Sequence, residues 1–151
     1  MTEERRVKVR ELSREECESL LLKHRVGRIA YAHQNRVDIA PIHYVYRDGW
    51  IYGRSAFGKK LAILRHAPWV AFEVDQVDDL FDWQSVVVHG SFQILDPERS
   101  ARERGATVDA VELLRGLLPE ALTPDDPTPE RNLVFRIHAD EVTGRAASSG
   151  D

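Results

Sequence analysis

Two adjacent lysines, Lys59 and Lys60, stand where a run of small residues gives way to the helix-forming stretch "KKLAILRH". A helix N-terminus carries partial positive charge and unpaired N–H groups, so cations there are mildly unfavourable for the helix itself. An anion reverses that balance, because the N–H groups, the dipole and both lysines then act on one charge. The residues just before them fit such a use. Ser55 brings a hydroxyl, Ala56 and Gly58 let a ligand approach the backbone, and Arg54 is a further cation. The chemistry read here is phosphate binding. The competing reading is a solvated helix start whose lysines only aid solubility.

Other reactive residue types point to less. Six histidines (His24, His33, His43, His66, His89 and His138) form no i, i+4 pair with an acid between them, so no metal site is expected. Cys17 has no near partner and sits on an apolar helix face, which reads as core. The stretch "HGSF" at 89–92 lacks the Gly-x-Ser-x-Gly pattern of a nucleophile elbow. The acid pairs Asp78/Asp79 and Asp125/Asp126 fall in polar stretches and read as solvated loop residues. His43 is placed on the strand face opposite Ile42 and Tyr44. Trp83 either closes the end of a barrel or offers a flat wall to a planar ligand.

The elements that must hold these residues follow from periodicity. Ser13 and Glu16 form a capping box before a short amphipathic helix carrying Cys17, Leu20 and Leu21. "VGRIAYAH", "VDIAPIHYVY" and "WIYGRS" read as three strands, with turns at Gln34–Arg36 and Arg47–Gly49. Pro41 removes a ladder donor, so its strand should face an edge, a bulge or a ligand. Lys59 to His66 is a helix stopped before Pro68. "WVAFEVD" is a fourth strand and "QVDDLFDW" an acidic connector. "QSVVVHGSFQIL" is a long strand whose Gly90 marks a bend or a close approach. A helix over 96–119, breaking near Gly105, precedes a proline-rich surface loop at 120–132. "LVFRIHADEVTGR" is the last strand and "AASSGD" a tail with nothing to bury. Six strands joined mostly as a meander predict a mainly β fold with peripheral helices, a six-stranded antiparallel barrel.

Composition bounds the rest. The 151 residues are 42% hydrophobic and 30% charged, with a net charge of −4 and one cysteine. That suits a single domain over 1–151, with 1–12 and 144–151 as flexible ends. The acidic balance argues against a nucleic-acid partner, which selects a basic excess. No apolar run is long enough to span a bilayer. The charged start lacks a signal-peptide core, and a cytoplasmic location is expected.

On the residues "VGRIAY", "VDIAPIHYVYRDGWIYGRSAFGKKLAILRHAPWVAFEVD" and "WQSVVVHGSFQIL", the sequence resembles the pyridoxamine 5′-phosphate oxidase-like family of FMN-binding split barrels, in particular its nitroimidazole-resistance-type branch. The resemblance implies a homodimer with flavin in clefts between the subunits. It implies that Pro41, Ile42, His43 and Tyr44 run beside the isoalloxazine. It assigns the 5′-phosphate to Arg54, Ser55, Lys59 and Lys60, and a further flavin-lining role to Trp83, Gln84 and Ser85. No counterpart is read of the C-terminal arm with which the full oxidases help bind pyridoxal-type substrates, so that oxidation is not expected. The activity implied is reduction of a small electrophile, such as a nitroaromatic or quinone, with a nicotinamide or other electron donor. Relatives that use a deazaflavin or bind haem give the alternatives: a deazaflavin-dependent reductase, or a non-catalytic flavin- or haem-binding module.

Overall fold

The chain enters through strand β1 (Val7–Glu11) and passes into helix α1 (Arg14–Lys23) by the expected capping box. The Glu16 backbone N–H donates to Ser13 Oγ (3.1 Å) and the Ser13 N–H donates to Glu16 Oε1 (3.0 Å). Strands β2 (Val26–His33) and β3 (Arg36–His43) follow, then β4 (Val45–Arg47) and β5 (Trp50–Ser55). Both hairpins turn on pairs of left-handed residues, Gln34–Asn35 (φ 48° and 62°) and Asp48–Gly49 (φ 48° and 83°), whose twist matches that of paired strands. Helix α2 (Lys59–His66) leads to β6 (Trp69–Asp79) and β7 (Asp82–Ile94). Helix α3 (Ala101–Leu117), β8 (Leu133–His138) and β9 (Glu141–Ser149) complete the order. The computed structural model describes residues 6–56 and 58–149.

The strands form an antiparallel sheet ordered β3-β2-β6-β7-β8-β5-β4, with β9 also on β7 and β1 outside β9. The sheet curls without closing, which makes a split barrel. β7 is the strand that turns the corner. Its residues Trp83–His89 lie between β6 and β9, whereas Phe92–Ile94 pair with β8. Gly90 sits at that corner. A Cβ there would stand 1.6 Å from the His138 carbonyl oxygen, so the close approach read from the sequence is met by backbone against backbone. Pro41 lies on β3, whose ladder partner is β2, and so occupies the expected edge.

The core fills the inside of this curl. Tyr44 and Phe72, both fully buried, meet edge to face with centroids 4.9 Å apart. Leu21 and Ile29 pack with them, as do Val74, Val86 and Ile137. A smaller apolar cluster of Tyr52, Leu95, Ala110, Leu114 and Val134 seats α3 on the other side of β5 and β8. Among the described residues no helix is long and apolar enough to cross a membrane.

Several expectations are corrected. Among the described residues the strands number nine. The expected second strand ends at Tyr44, whose N–H donates to the Arg25 carbonyl (2.9 Å) and whose hydroxyl donates to the Leu21 carbonyl (2.6 Å), so the residue leaves the ladder between β3 and β4. The expected last strand divides at Ala139–Asp140, where Asp140 bonds the His138 ring. The acidic connector is the tip of the β6–β7 hairpin, with Val77 opposite Trp83 and its acids exposed. Helix α3 runs unbroken through Gly105, which faces open space. The ends called flexible pair with each other as β1 and β9 over residues 7–11 and 145–149, and residues 1–5 and 150–151 lie outside the described residues. The small residues read as having nothing to bury are small because they are covered. Ala146 and Ala147 are buried, and a Cβ on Gly144 would press on Cys17 Sγ at 2.7 Å.

Candidate functional site

Helix α2 begins without a side-chain cap and with no acid in its first turn. Lys60, in its first turn, lines a space between β3, the end of β5 and α3. That space is a cavity of about 750 Å³. β3 contributes Pro41, Ile42 and His43, β5 contributes Arg54 and Ser55, and α2 contributes Lys60. These are six of the residues assigned from the sequence, drawn from three elements into one place. Leu114, Leu117 and Leu118, at the C-terminal end of α3, form an apolar wall with Val26.

The charge of the lining is one-sided. Arg25, Arg54, Lys60 and Arg131 line it, together with His43, and among the described residues no aspartate or glutamate does. The chain as a whole carries a net charge of −4, so this concentration of cations is local. Burial and the nearby charge of Arg131 push the Lys60 ammonium below its ordinary pKa.

Arg54 differs from the other cations because its charge is already balanced. Its guanidinium grips the Asp126 carboxylate with both terminal nitrogens, one of these bonds being 3.1 Å. It also donates to Thr128 Oγ1 (2.9 Å) and to the Arg131 carbonyl (3.3 Å). Asp126 is 7% exposed. Its carboxylate also accepts from the backbone N–H groups of Leu122 (2.8 Å) and Thr128 (2.9 Å). These bonds, led by Arg54, hold its pKa well below the usual carboxylate range. The reading of Asp126 as a solvated loop acid is thereby corrected. A buried loop acid has no periodicity to betray it. The available signal was the Asp-Pro-Thr stretch itself, in which an aspartate turns back onto the N–H two residues on. Arg25, Thr128 and Arg131 are the other site residues that sequence reasoning missed.

The remaining assigned residues lie elsewhere. Tyr44 points into the core and its hydroxyl is used on Leu21, so it does not face the cavity. Lys59 opens α2, and its side chain lies outside the described residues. Trp83, Gln84 and Ser85 sit at the start of β7 between β6 and β9, outside the cavity lining. The Ser85 hydroxyl donates to Glu73 (3.3 Å). A larger groove of about 1020 Å³ is lined by Thr107, Val111 and Arg115 of α3. There Arg115 is used on the Ala121 and Leu122 carbonyls and Arg99 on Glu103, so that groove lacks the unbalanced charge of the first.

The family model described as pyridoxamine 5′-phosphate oxidase matches residues 13–146. The chain belongs to the pyridoxamine 5′-phosphate oxidase family. A family relative, an uncharacterised protein of Rhizobium meliloti (strain 1021), is 29% identical over 95% of this chain and 98% of its own. The crystal structure of a FAD-binding protein from Mesorhizobium loti is 31% identical, with a TM-score of 0.75 over 93% of this chain and 99% of that one. A putative 5-nitroimidazole antibiotic resistance protein from Bacteroides thetaiotaomicron shares the fold, with a TM-score of 0.68 and 16% identity over 99% of this chain and 95% of that one. The pyridoxamine 5′-phosphate oxidase-family match spans β2 to β8 in full, and so includes every lining residue of the cationic cavity.

Proposed function

We propose that the cavity binds the phosphate and ribityl end of a flavin nucleotide, FMN, and that the protein reduces a small electrophile such as a nitroaromatic or quinone. The observation that carries this reading is the acid-free, cation-lined cavity at the uncapped start of α2. Such a lining leaves like charges unbalanced until a dianion enters. The FAD named for the Mesorhizobium loti relative presents the same kind of anionic group.

A flavin, when bound, supplies the hydride chemistry. The chain's own part is to seat and screen it. Lys60 and Ser55 meet the phosphate, Ile42 and the α3 leucines shut water out, and Pro41 keeps the β3 edge free of a ladder bond. The protein is also proposed to act as a homodimer. Pro41 and His43 share an outward register with Val37 and Ile39 on β3, and through the ladders with Trp69 and Val77 on β6 and Trp83 and Ser85 on β7. A second copy on that face would bring Trp83 and Ser85 toward a neighbour's cavity.

Calorimetric titration with FMN and riboflavin tests the seat. FMN should bind at about one per chain and much more tightly than riboflavin. A hydrogen bond to a charged group is worth about 1.5–3 kcal/mol, so Lys60→Ala should weaken FMN about tenfold to a hundredfold and leave riboflavin nearly unchanged. Equal affinities for the two ligands would overturn the phosphate seat. Oxidation of NADH or NADPH dependent on an added nitroaromatic or quinone tests the reductase, and its absence with all pairs would overturn that part.

A further inference from the structure

Resting on the flavin-nucleotide reading, the next question is which cations meet the phosphate. Arg54 is the cation that most closely precedes the helix start in sequence, yet it makes four hydrogen bonds to Asp126, Thr128 and the Arg131 carbonyl. Its side chain is 11% exposed and its charge is matched by a carboxylate that is 2% exposed. A guanidinium so engaged has one N–H left and no surplus charge. Arg131 is the opposite case. It lines the cavity, acts on Lys60 through space, and among the described residues no carboxylate pairs with it or with Lys60. Its backbone is fixed by the carbonyl bond from Arg54 and by its own N–H, which donates to the Thr128 carbonyl (3.0 Å).

We propose that Arg131 and Lys60 together form the phosphate-binding pair, and that Arg54 and Asp126 are positioning residues that hold the α3–β8 loop so that Arg131 faces the cavity. The Arg54–Asp126 pair then makes no direct contact with the ligand. Its two-point grip, with the bond to Thr128, ties the loop to the end of β5. Lys60 and Arg131 repel one another while the cavity holds no anion, and a dianionic phosphate turns that repulsion into two charge-assisted bonds.

The inference separates from a structural role by ligand and by sign. Arg131→Ala should weaken FMN about tenfold to a hundredfold and leave riboflavin unchanged. Equal weakening of both ligands, or of neither, overturns the pair. Lys60→Met should raise the melting temperature of the ligand-free protein, because it removes the repulsion, while reducing the upward shift produced by inorganic phosphate or by FMN at a fixed concentration. A lower ligand-free melting temperature would overturn the repulsion argument. The positioning role is read from a double-mutant cycle on FMN affinity. If Asp126 acts through Arg131, Asp126→Asn and Arg131→Ala together weaken FMN no more than Arg131→Ala alone. Additive losses overturn it. Thr128→Ala, a milder release of the same loop, serves in the cycle should Asp126→Asn fail to fold. Failure of the parent protein to bind FMN, FAD or phosphate would instead overturn the proposed function, a result distinguishable from failure of Arg131 alone.

Discussion

An arginine beside a cation-lined cavity has two uses: it can meet a ligand, or it can tie down the chain that does. Arg54 is tied to Asp126, and the consequence is a pH dependence of stability. A carboxyl held low in the fold, but titrating near its ordinary value of about 4 when unfolded, stabilises the fold fully at neutral pH. That contribution fades as pH falls through the unfolded value toward the folded one. Asp126 is such a group, and so is exposed Glu16, which Arg10 pulls down to about 2. Asp126→Asn should therefore lower the melting temperature at pH 7. The gap between parent and variant should narrow steadily between about pH 5 and pH 2. A gap of constant size across that range would mean that Asp126 stabilises by shape and not by charge. Glu16 remains in both proteins, so its own acid sensitivity cancels in the comparison.

At the scale of elements, the corner of β7 and the middle of α3 make opposite predictions from the same residue type. Gly90→Ala places a methyl where the His138 carbonyl oxygen stands. The backbones of β7 and β8 must part, at the upper end of the roughly 1–3 kcal/mol seen for overpacking. Gly105 lies mid-helix with nothing within 4 Å of its missing Cβ, so Gly105→Ala should stabilise by about 0.5–1 kcal/mol. Urea midpoints at unchanged slope measure both; a neutral Gly90→Ala would deny that the corner is tight. These two glycines also show what the sequence could tell. The bend at Gly90 was legible because glycine in a β-branched run has little other use. Gly105 read as a break because propensity weighs against it, whereas α3 is held by packing of Ala110 and Leu114 and tolerates one poor residue. Helix α2 and the Ser13 cap were legible from local signals alone. The loop that carries Asp126 and Arg131 was not. Its prolines and acids resemble any surface loop, and its partner Arg54 lies more than 70 residues away.

At the scale of the whole molecule, the described residues leave one outer sheet face bare. Val37 is 72% exposed, Ile39 68%, Val77 66% and Trp69 52%, all in one outward register. A self-complementary two-fold contact is the commonest way such a face is covered. Light scattering should give twice the 17.2 kDa chain mass. Ile39→Asp should return it to the single-chain value and weaken FMN binding, because the proposed second wall of the cavity leaves with the partner. A parent protein that runs as one chain and still holds FMN would end the shared-site reading.

The pairing of β1 with β9 has a consequence in time. The first strand to leave the ribosome finds its partner only when the last has emerged, about 140 residues later. Until then β7 also lacks the neighbour along Trp83–His89 that β9 supplies. Loop closure over such a span is slow, and non-local strands gather late. The β6–β7 hairpin, closed by a two-residue turn, can form on its own. Pulsed hydrogen exchange during refolding should find β6–β7 amides protected first and those of β1 and β9 last. Early protection of β1 would mean that the two ends meet before the hairpin forms. Throughout that interval the growing chain exposes one edge of its longest strand, and the cell must keep it from finding the wrong companion.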